Sequence, residues 1–470
     1  MKFEKKMKYK ENEKKKVREK VMSDVRTKLL TGNPWKLMVS LSLPAIIGMV
    51  VIGLYNFIDA VFVGNMVGSV AMTAVKVSYP FTLLNSGIST LLGVGSASVL
   101  SRAVGKKDQE TIDKIMGNLI AGVILLSAIV MIAGLIFTRQ LLSLTGADGE
   151  YMEQAVRYLR IIFAGSLFVN FAQAANMVMR GEGMLQKAMM IMGLGAVLNI
   201  VLDAVLLKIT GCVEGAAYAT IISQFVQFVI TIWYFLKKSE TIKIHKINLD
   251  KTIMPQVLGV GVSAMLMQVM QMIQQTVMYS VAKKWGGNEW QTILGAAMSL
   301  SAFAFIPLWG ISQGFQPAVG TNYGAKEYGR VKIFMRVFVI GATALAAIFY
   351  IPIMTAPKAM LAMFIPDNPA IVEMGAKMLQ VLFSVFITYG FFIMAVTLFQ
   401  ALGKGTSAAA ITVLRSLILF LPLVYLLPHV GGLGIKGLFV AQMMTDLIVL
   451  VIAVILVAVS FRQMTKEQYH

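Results

Sequence analysis

From residue 37 onward the chain alternates long apolar runs with short polar breaks. A helix that crosses a bilayer needs about 20 mostly apolar residues. On that length the pattern predicts twelve spans, at roughly 37–63, 77–101, 115–137, 158–178, 188–207, 213–236, 254–282, 293–321, 333–353, 378–400, 407–428 and 433–461. The expected fold is an all-α membrane protein. The stretch MKFEKKMKYKENEKKKVREK, before the first run, is rich in Lys, mixed with Glu and poor in apolar residues. It reads as a solvated basic arm that sets topology and touches anionic headgroups. No cleavable signal peptide is expected, because the first apolar run is long and follows a polar leader.

The pattern repeats itself at an offset of about 220 residues. GIS at 87–89 recurs as GIS at 310–312, GKK at 105–107 as GAK at 324–326, and RGEG at 180–183 as LGKG at 402–405. LLSLTGADGEYMEQAVRYL (141–159) aligns with MLAMFIPDNPAIVEMGAKML (360–379), and VEGAAYA (213–219) with IKGLFVA (435–441). The matches keep their order, so the chain reads as two six-helix halves. The expected division is a basic cytoplasmic arm over 1–31, a first half over 32–236, a basic loop over 237–252 and a second half over 253–470. Six is even, so both halves insert with the same orientation. They become parallel repeats about a pseudo-twofold axis along the membrane normal, facing each other across a central cleft.

Composition supports this class. The chain is 57% hydrophobic and 14% charged, with a mean hydropathy of +0.74; soluble domains carry about 25% charged residues. The net charge of +19 follows the loops and is no nucleic-acid signature. With the N-terminus inside, the inner loops hold 30 Lys and Arg and the outer loops nine. That bias expects both termini to be cytoplasmic in a cell membrane. Cys212 is the one cysteine, so no internal disulfide forms, and His245, His429 and His470 fall in loops or at the terminus. No phosphate loop, zinc signature or Ser/His/Asp arrangement is visible. No catalytic residue, resident metal or cofactor is expected, and the chain reads as no enzyme.

Candidate chemistry lies in polar residues inside the spans. In GAVLNIVLDAVLL (195–207), Asn199 and Asp203 sit one helical turn apart, on one face. A carboxylate in hydrocarbon is costly and marks an ion or proton path. Asp59, in YNFIDAVFVG, and Thr220 join them as candidates. At the repeat offset Asn199 maps to Leu421, Asp203 to Tyr425, Asp59 to about Met270 and Thr220 to Gln442. The acids are therefore peculiar to the first half. Two near carboxylates suit a proton, and carboxylate, amide and hydroxyl oxygens suit sodium. Gln268, Gln271, Gln274 and Gln275, with Met270, Met278 and further methionines around them, read as an adaptable cleft wall. Tyr55 and Asn56 are further cleft candidates. Arg415 and Asp446, in the last two spans, read as a structural ion pair.

LTGNPWKLMVSLSLPAIIGMVVIGLYNFIDAVFVG, the GNLI and RGEG segments and NIVLDAVLL…VEGAAYAT resemble the multidrug and toxic compound extrusion (MATE) transporters, nearest their bacterial DinF-like and MepA-like branch. The resemblance covers essentially the whole chain after residue 30. It implies twelve helices in two lobes around a V-shaped cleft, and export of cationic or amphipathic drugs in exchange for H⁺ or Na⁺. It carries the family's first-lobe ion site onto Asp59, Asn199, Asp203 and Thr220. Some members also use acids in the seventh and tenth helices. Here those helices carry Gln268, Gln271 and no embedded acid, which points away from a second-lobe sodium site.

The expected function is a secondary active multidrug exporter driven by inward H⁺ or Na⁺, the ion being left open. Its expected partners are cationic or amphipathic small molecules and membrane lipids, with the chain acting as a monomer. The rival reading is a flippase for lipid-linked oligosaccharides of the same superfamily, which would have more spans and a cationic cavity. A membrane-embedded enzyme would need a nucleophile or metal constellation. A receptor would show no gradient-driven flux.

Overall fold

The computed structural model describes residues 23–143, 149–239, 242–366 and 368–469; within helices, the side chains of 55–57, 60, 61, 64, 65, 69, 149–151 and 469 lie outside the described set. The described residues form helices and no strands. After α1 (23–31) come α2 (Pro34–Met66), α3 (Ser69–Lys106), α4 (Gln109–Ser143), α5 (Gly149–Ala164), α6 (Ser166–Gly181), α7 (Leu185–Thr210) and α8 (Glu214–Trp233). Then follow α9 (Met254–Gly324), α10 (Tyr328–Thr355), α11 (Pro357–Ala362), α12 (Pro369–Phe383), α13 (Tyr389–Ala401), α14 (Gly405–Val413), α15 (Phe420–Leu426) and α16 (Lys436–Tyr469).

Among the described residues, ten helices are long and apolar enough to cross a membrane, eleven if α5 and α6, bent by 55°, form one span. Helix α9 counts as one of the ten but has 71 residues. At 1.5 Å per residue it would run about 106 Å, against a hydrocarbon core of about 30 Å. It breaks at Gly287, whose φ of 68° and ψ of −160° suit a residue without a Cβ. Each arm exceeds the length a span needs, and the expected count of twelve rests on that division.

Helix α7 shows why these helices belong in lipid. Met190, Leu194, Val197, Val201 and Val205 are exposed along one side. Ala188, Gly195, Asn199, Asp203 and Leu207 are buried along the other. An apolar outside and a polar inside is the reverse of a soluble helix, and it fits a hydrocarbon solvent.

The repeat appears in the backbone itself. Among the described residues, Lys107 (φ 59°) and Lys326 (φ 62°) are the two non-glycine residues with left-handed φ. Their loops close alike, Asp108 N donating to Ala103 O and Glu327 N to Asn322 O, each at 2.9 Å. Gly183 and Gly403 are also left-handed, and the residue after each donates five positions back, Met184 N to Met179 O and Lys404 N to Phe399 O. These are the GKK/GAK and RGEG/LGKG pairs of the sequence.

At the end bearing these loops the halves touch closely. A Cβ on Gly105 would lie 2.1 Å from Thr321 O, and one on Gly324 would lie 2.2 Å from Arg102 O. Helix α1, assigned on sequence to the solvated arm, docks here with Leu29 only 3% exposed. Arg26 Nε donates to Gly105 O (3.1 Å), Asn322 Nδ2 to Leu29 O (3.1 Å) and Arg330 Nη2 to Gly32 O (2.7 Å). Capping its carbonyls offsets the cost of ordering this short helix. The rest of the arm, residues 1–22, lies outside the described residues.

The basic loop before α9 is also tied down. Asp250 accepts from the Thr252 hydroxyl (2.5 Å) and from the backbone of Thr252 (2.8 Å) and Ile253 (3.2 Å). Lys114 of α4 pairs with it at 3.3 Å. These partners, the Thr252 hydroxyl foremost, hold the Asp250 carboxyl well below the usual carboxylate range.

Candidate cation site and cavity

The first polar cluster forms where α2, α7 and α8 meet. Gly195 permits it, because a Cβ there would lie 1.8 Å from Gln227 Nε2 of α8. One turn on stands Asn199, 3% exposed, and one more turn on Asp203, fully buried. With its amide oriented as the neighbours require, Asn199 donates to Asp203 Oδ2 at 3.3 Å and accepts from Thr220 N at 3.3 Å. Helix α2 brings the half-buried Asp59 carboxyl beside that of Asp203. The structure thus gathers the four residues that the sequence singled out. Thr220 enters through its backbone N–H, which residue identity alone does not reveal.

An ionised carboxylate only accepts, so two carboxylates side by side repel unless a proton or a cation lies between them. Asp59 Oδ1 and Asp203 Oδ1 have no hydrogen-bond partner. Buried anionic oxygens without partners are costly, so this cluster calls for a cation. Its carboxylate and amide oxygens suit a proton or a hard cation such as sodium.

A cavity of about 290 Å³ lies elsewhere, bounded by both arms of α9, by α12, α13, α14 and the turn that follows it, by α16 and by Met49 of α2. On the first arm of α9 its wall is Gln271, Gln274, Gln275 and Met278, at helical i, i+3, i+4, i+7 spacing. Two expected members of that wall are not there. Gln268 sits at the flank of the stripe and turns to α3, contacting Leu83 O at 3.4 Å and Thr90 Oγ1 at 3.3 Å. Met270 lies beyond the other flank and is buried in packing. Tyr55 and Asn56 fall on α2, and their side chains lie outside the described residues.

The opposite wall is aromatic: Phe305 and Trp309 from the second arm of α9, with Phe386, Tyr389 and Phe392. These last three recur every third residue in FITYGFF, a periodicity present in the sequence. A single 3₁₀ turn, Phe386–Thr388, precedes Tyr389 and aligns that spacing with one face. Among the described residues, the cavity's one charged lining residue is Arg415. It sits in a π-helical turn, Leu414–Leu419, and pairs with buried Asp446, Nε to Oδ1 2.8 Å. Asp446 Oδ2 also accepts from Tyr389 OH (2.6 Å) and Gln442 Nε2 (2.8 Å), and Gln442 Oε1 from Gln274 Nε2 (2.6 Å). The expected pair is present, as part of a wider network.

Known proteins share this architecture. The MatE family model matches twice, over residues 44–205 and 263–426, at the spacing of the internal repeat. The chain is 26% identical over 428 residues to the multidrug export protein MepA of Staphylococcus aureus strain MRSA252, covering 90% of this chain and 94% of that one. Among solved structures it superposes on a MATE transporter in the bent conformation with a TM-score of 0.89, at 25% identity, covering 95% of this chain and 99% of that one. It also superposes on a multidrug resistance MATE transporter of the MOP superfamily in its outward-facing conformation, with a TM-score of 0.88 at 26% identity, covering 94% and 98%.

Proposed function

This chain belongs to the MatE family, and on that footing we propose that it is a secondary active multidrug exporter coupled to protons. The supporting observation is the side-by-side placement of the Asp59 and Asp203 carboxyls, each with an oxygen that has no hydrogen-bond partner. The relatives' names, multidrug export proteins of staphylococci, support the substrate class of drug-like amphipathic molecules. Both termini and the basic loops face the cytoplasm, the two halves rock against each other, and one chain suffices.

Helix α2 links ion to cargo. Asp59 and the cavity-lining Met49 are ten residues apart, about 15 Å along one helix. With the proton bound, the carboxyls hold α2 against α7. Without it, two like charges in low dielectric repel and release α2. The same helix packs against the second arm of α9, where a Cβ on Gly310 would lie 2.6 Å from Ile46 Cα. A shift of α2 therefore moves the cavity wall and the contact between halves. By linkage, what the proton does to the cargo site the cargo does to the proton.

A flippase for lipid-linked sugars is the alternative on fold alone. One arginine already neutralised by Asp446 is not the cationic cavity that a pyrophosphate needs. The test is dye flux in liposomes with imposed gradients. A pH gradient alone should drive uptake into inverted vesicles and a sodium gradient alone should not; flux under neither gradient refutes the reading.

A further inference from the structure

Arg415 has more donors than the protein uses. Its guanidinium carries five N–H groups. Nε is spent on Asp446 and Nη2 bonds the Tyr389 hydroxyl. Among the described residues no other acceptor meets it. The side chain is 18% exposed, and that exposure is to the cavity it lines. It is also fixed in place, lying over the rings of Tyr389 (5.2 Å) and Phe392 (5.3 Å). Asp446 cannot turn to a ligand, because Arg415, Tyr389 and Gln442 take both its oxygens.

The fold does not demand this pair. At the repeat offset Arg415 corresponds to Gly193 and Asp446 to Gln224. The first half closes without a charge at either place. A π-helical turn at Arg415 interrupts the regular ladder, as such turns do at working sites.

Charge sets the occupant. Arg415 and Asp446 together are neutral, so a lone carboxylate would leave a net charge in an apolar chamber, and so would a lone cation. A zwitterion leaves none. Its acidic end meets the unspent guanidinium donors. Its cationic end meets the ring faces of Phe305, Phe386 and Tyr389, which cluster at 5.0–5.5 Å. We propose that this cavity is a zwitterion site in which Arg415 takes the carboxylate of an aromatic amphiphile. The proposal rests on the export reading above and names the cargo it favours.

The test uses two dyes that differ at one group: rhodamine 110, which carries a free carboxylate, and rhodamine 123, its methyl ester. Fluorescence anisotropy with the purified full-length protein reads both affinities. Wild-type protein should bind the acid about tenfold more tightly than the ester, the value of a charge-assisted hydrogen bond. Arg415→Lys keeps a charge beside Asp446 but loses the planar fork. The double variant Arg415→Met with Asp446→Leu removes both charges. Each should bring the ratio to within about twofold. A wild-type ratio near one, or a ratio unchanged in both variants, overturns the proposal. A second readout needs no variant: the acid should slow phenylglyoxal modification of Arg415, followed by peptide mass, and the ester should not. Equal protection by both dyes overturns it too. Should the ratio fail while a pH gradient still drives dye flux, export stands and the zwitterion site falls. Should the ratio hold while no gradient moves either dye, export falls.

Discussion

One methyl group at Gly105 tests whether the halves separate during transport. The Gly105→Ala Cβ would meet Thr321 O at 2.1 Å, Ala325 N at 2.9 Å and Gly324 Cα at 2.9 Å. All three are backbone atoms, so no side-chain rotation relieves the clash. Ordinary contact begins near 3.4 Å, so α3 and α9 must part by about 1.3 Å, the cost of an overpacked core being about 1–3 kcal/mol. That cost falls only on the state closed at this end. The equilibrium should move about 5- to 150-fold towards the state open there. Spin labels at Lys107→Cys and Lys326→Cys, both exposed in wild type, report the separation once Cys212→Ser removes the native thiol. Electron–electron distance measurements in nanodiscs should show a longer population rising in Gly105→Ala. A folded Gly105→Ala protein with the wild-type distance distribution would refute the reasoning.

Three further outcomes follow from the packing. Asp446→Ala strands Arg415 inside the protein and should cost about 3–5 kcal/mol, seen as a large drop in melting temperature that Arg415→Met largely restores; a melt like wild type contradicts the network. Asp250→Asn should lower the melting temperature at pH 7. The native carboxyl is held below its unfolded value, so its contribution is full above the unfolded carboxylate range and fades as pH falls below about 4; a gap that widens with acid contradicts this. In a Cys212→Ser background, Lys284→Cys, beside the break at Gly287, should react with a membrane-impermeant thiol reagent added to the face opposite the termini; silence there contradicts the division of α9 into two spans.

The parts of this protein legible in its sequence are those where lipid leaves few choices. Long apolar runs fold as helices because backbone groups in hydrocarbon have no water partner. Asp59, Asn199 and Asp203 stood out because buried polar groups there are costly, and the same cost brings them together. The GKK/GAK and RGEG/LGKG pairs were legible because both members adopt one turn geometry. What escaped depends on departures from regular helix. The glutamine spacing puts Gln268 near the cavity face, but its amide contacts α3 through Leu83 O and Thr90 Oγ1. The Arg415 network depends on a π-helical turn and a 3₁₀ turn that no periodicity announces. The docking of α1 depends on backbone carbonyls meeting Arg330 and Asn322, and carbonyls are common to every residue.

The central claim is that the Asp59–Asp203 pair carries the proton whose entry drives export. The most direct measurement is dye transport into inverted liposomes driven by a pH gradient alone, comparing wild type with Asp203→Asn. Asparagine keeps the size and polarity of the site but cannot gain or lose a proton. The account predicts that gradient-driven transport by Asp203→Asn falls to the level of protein-free liposomes while dye binding persists. Transport at the wild-type rate in that variant would contradict it.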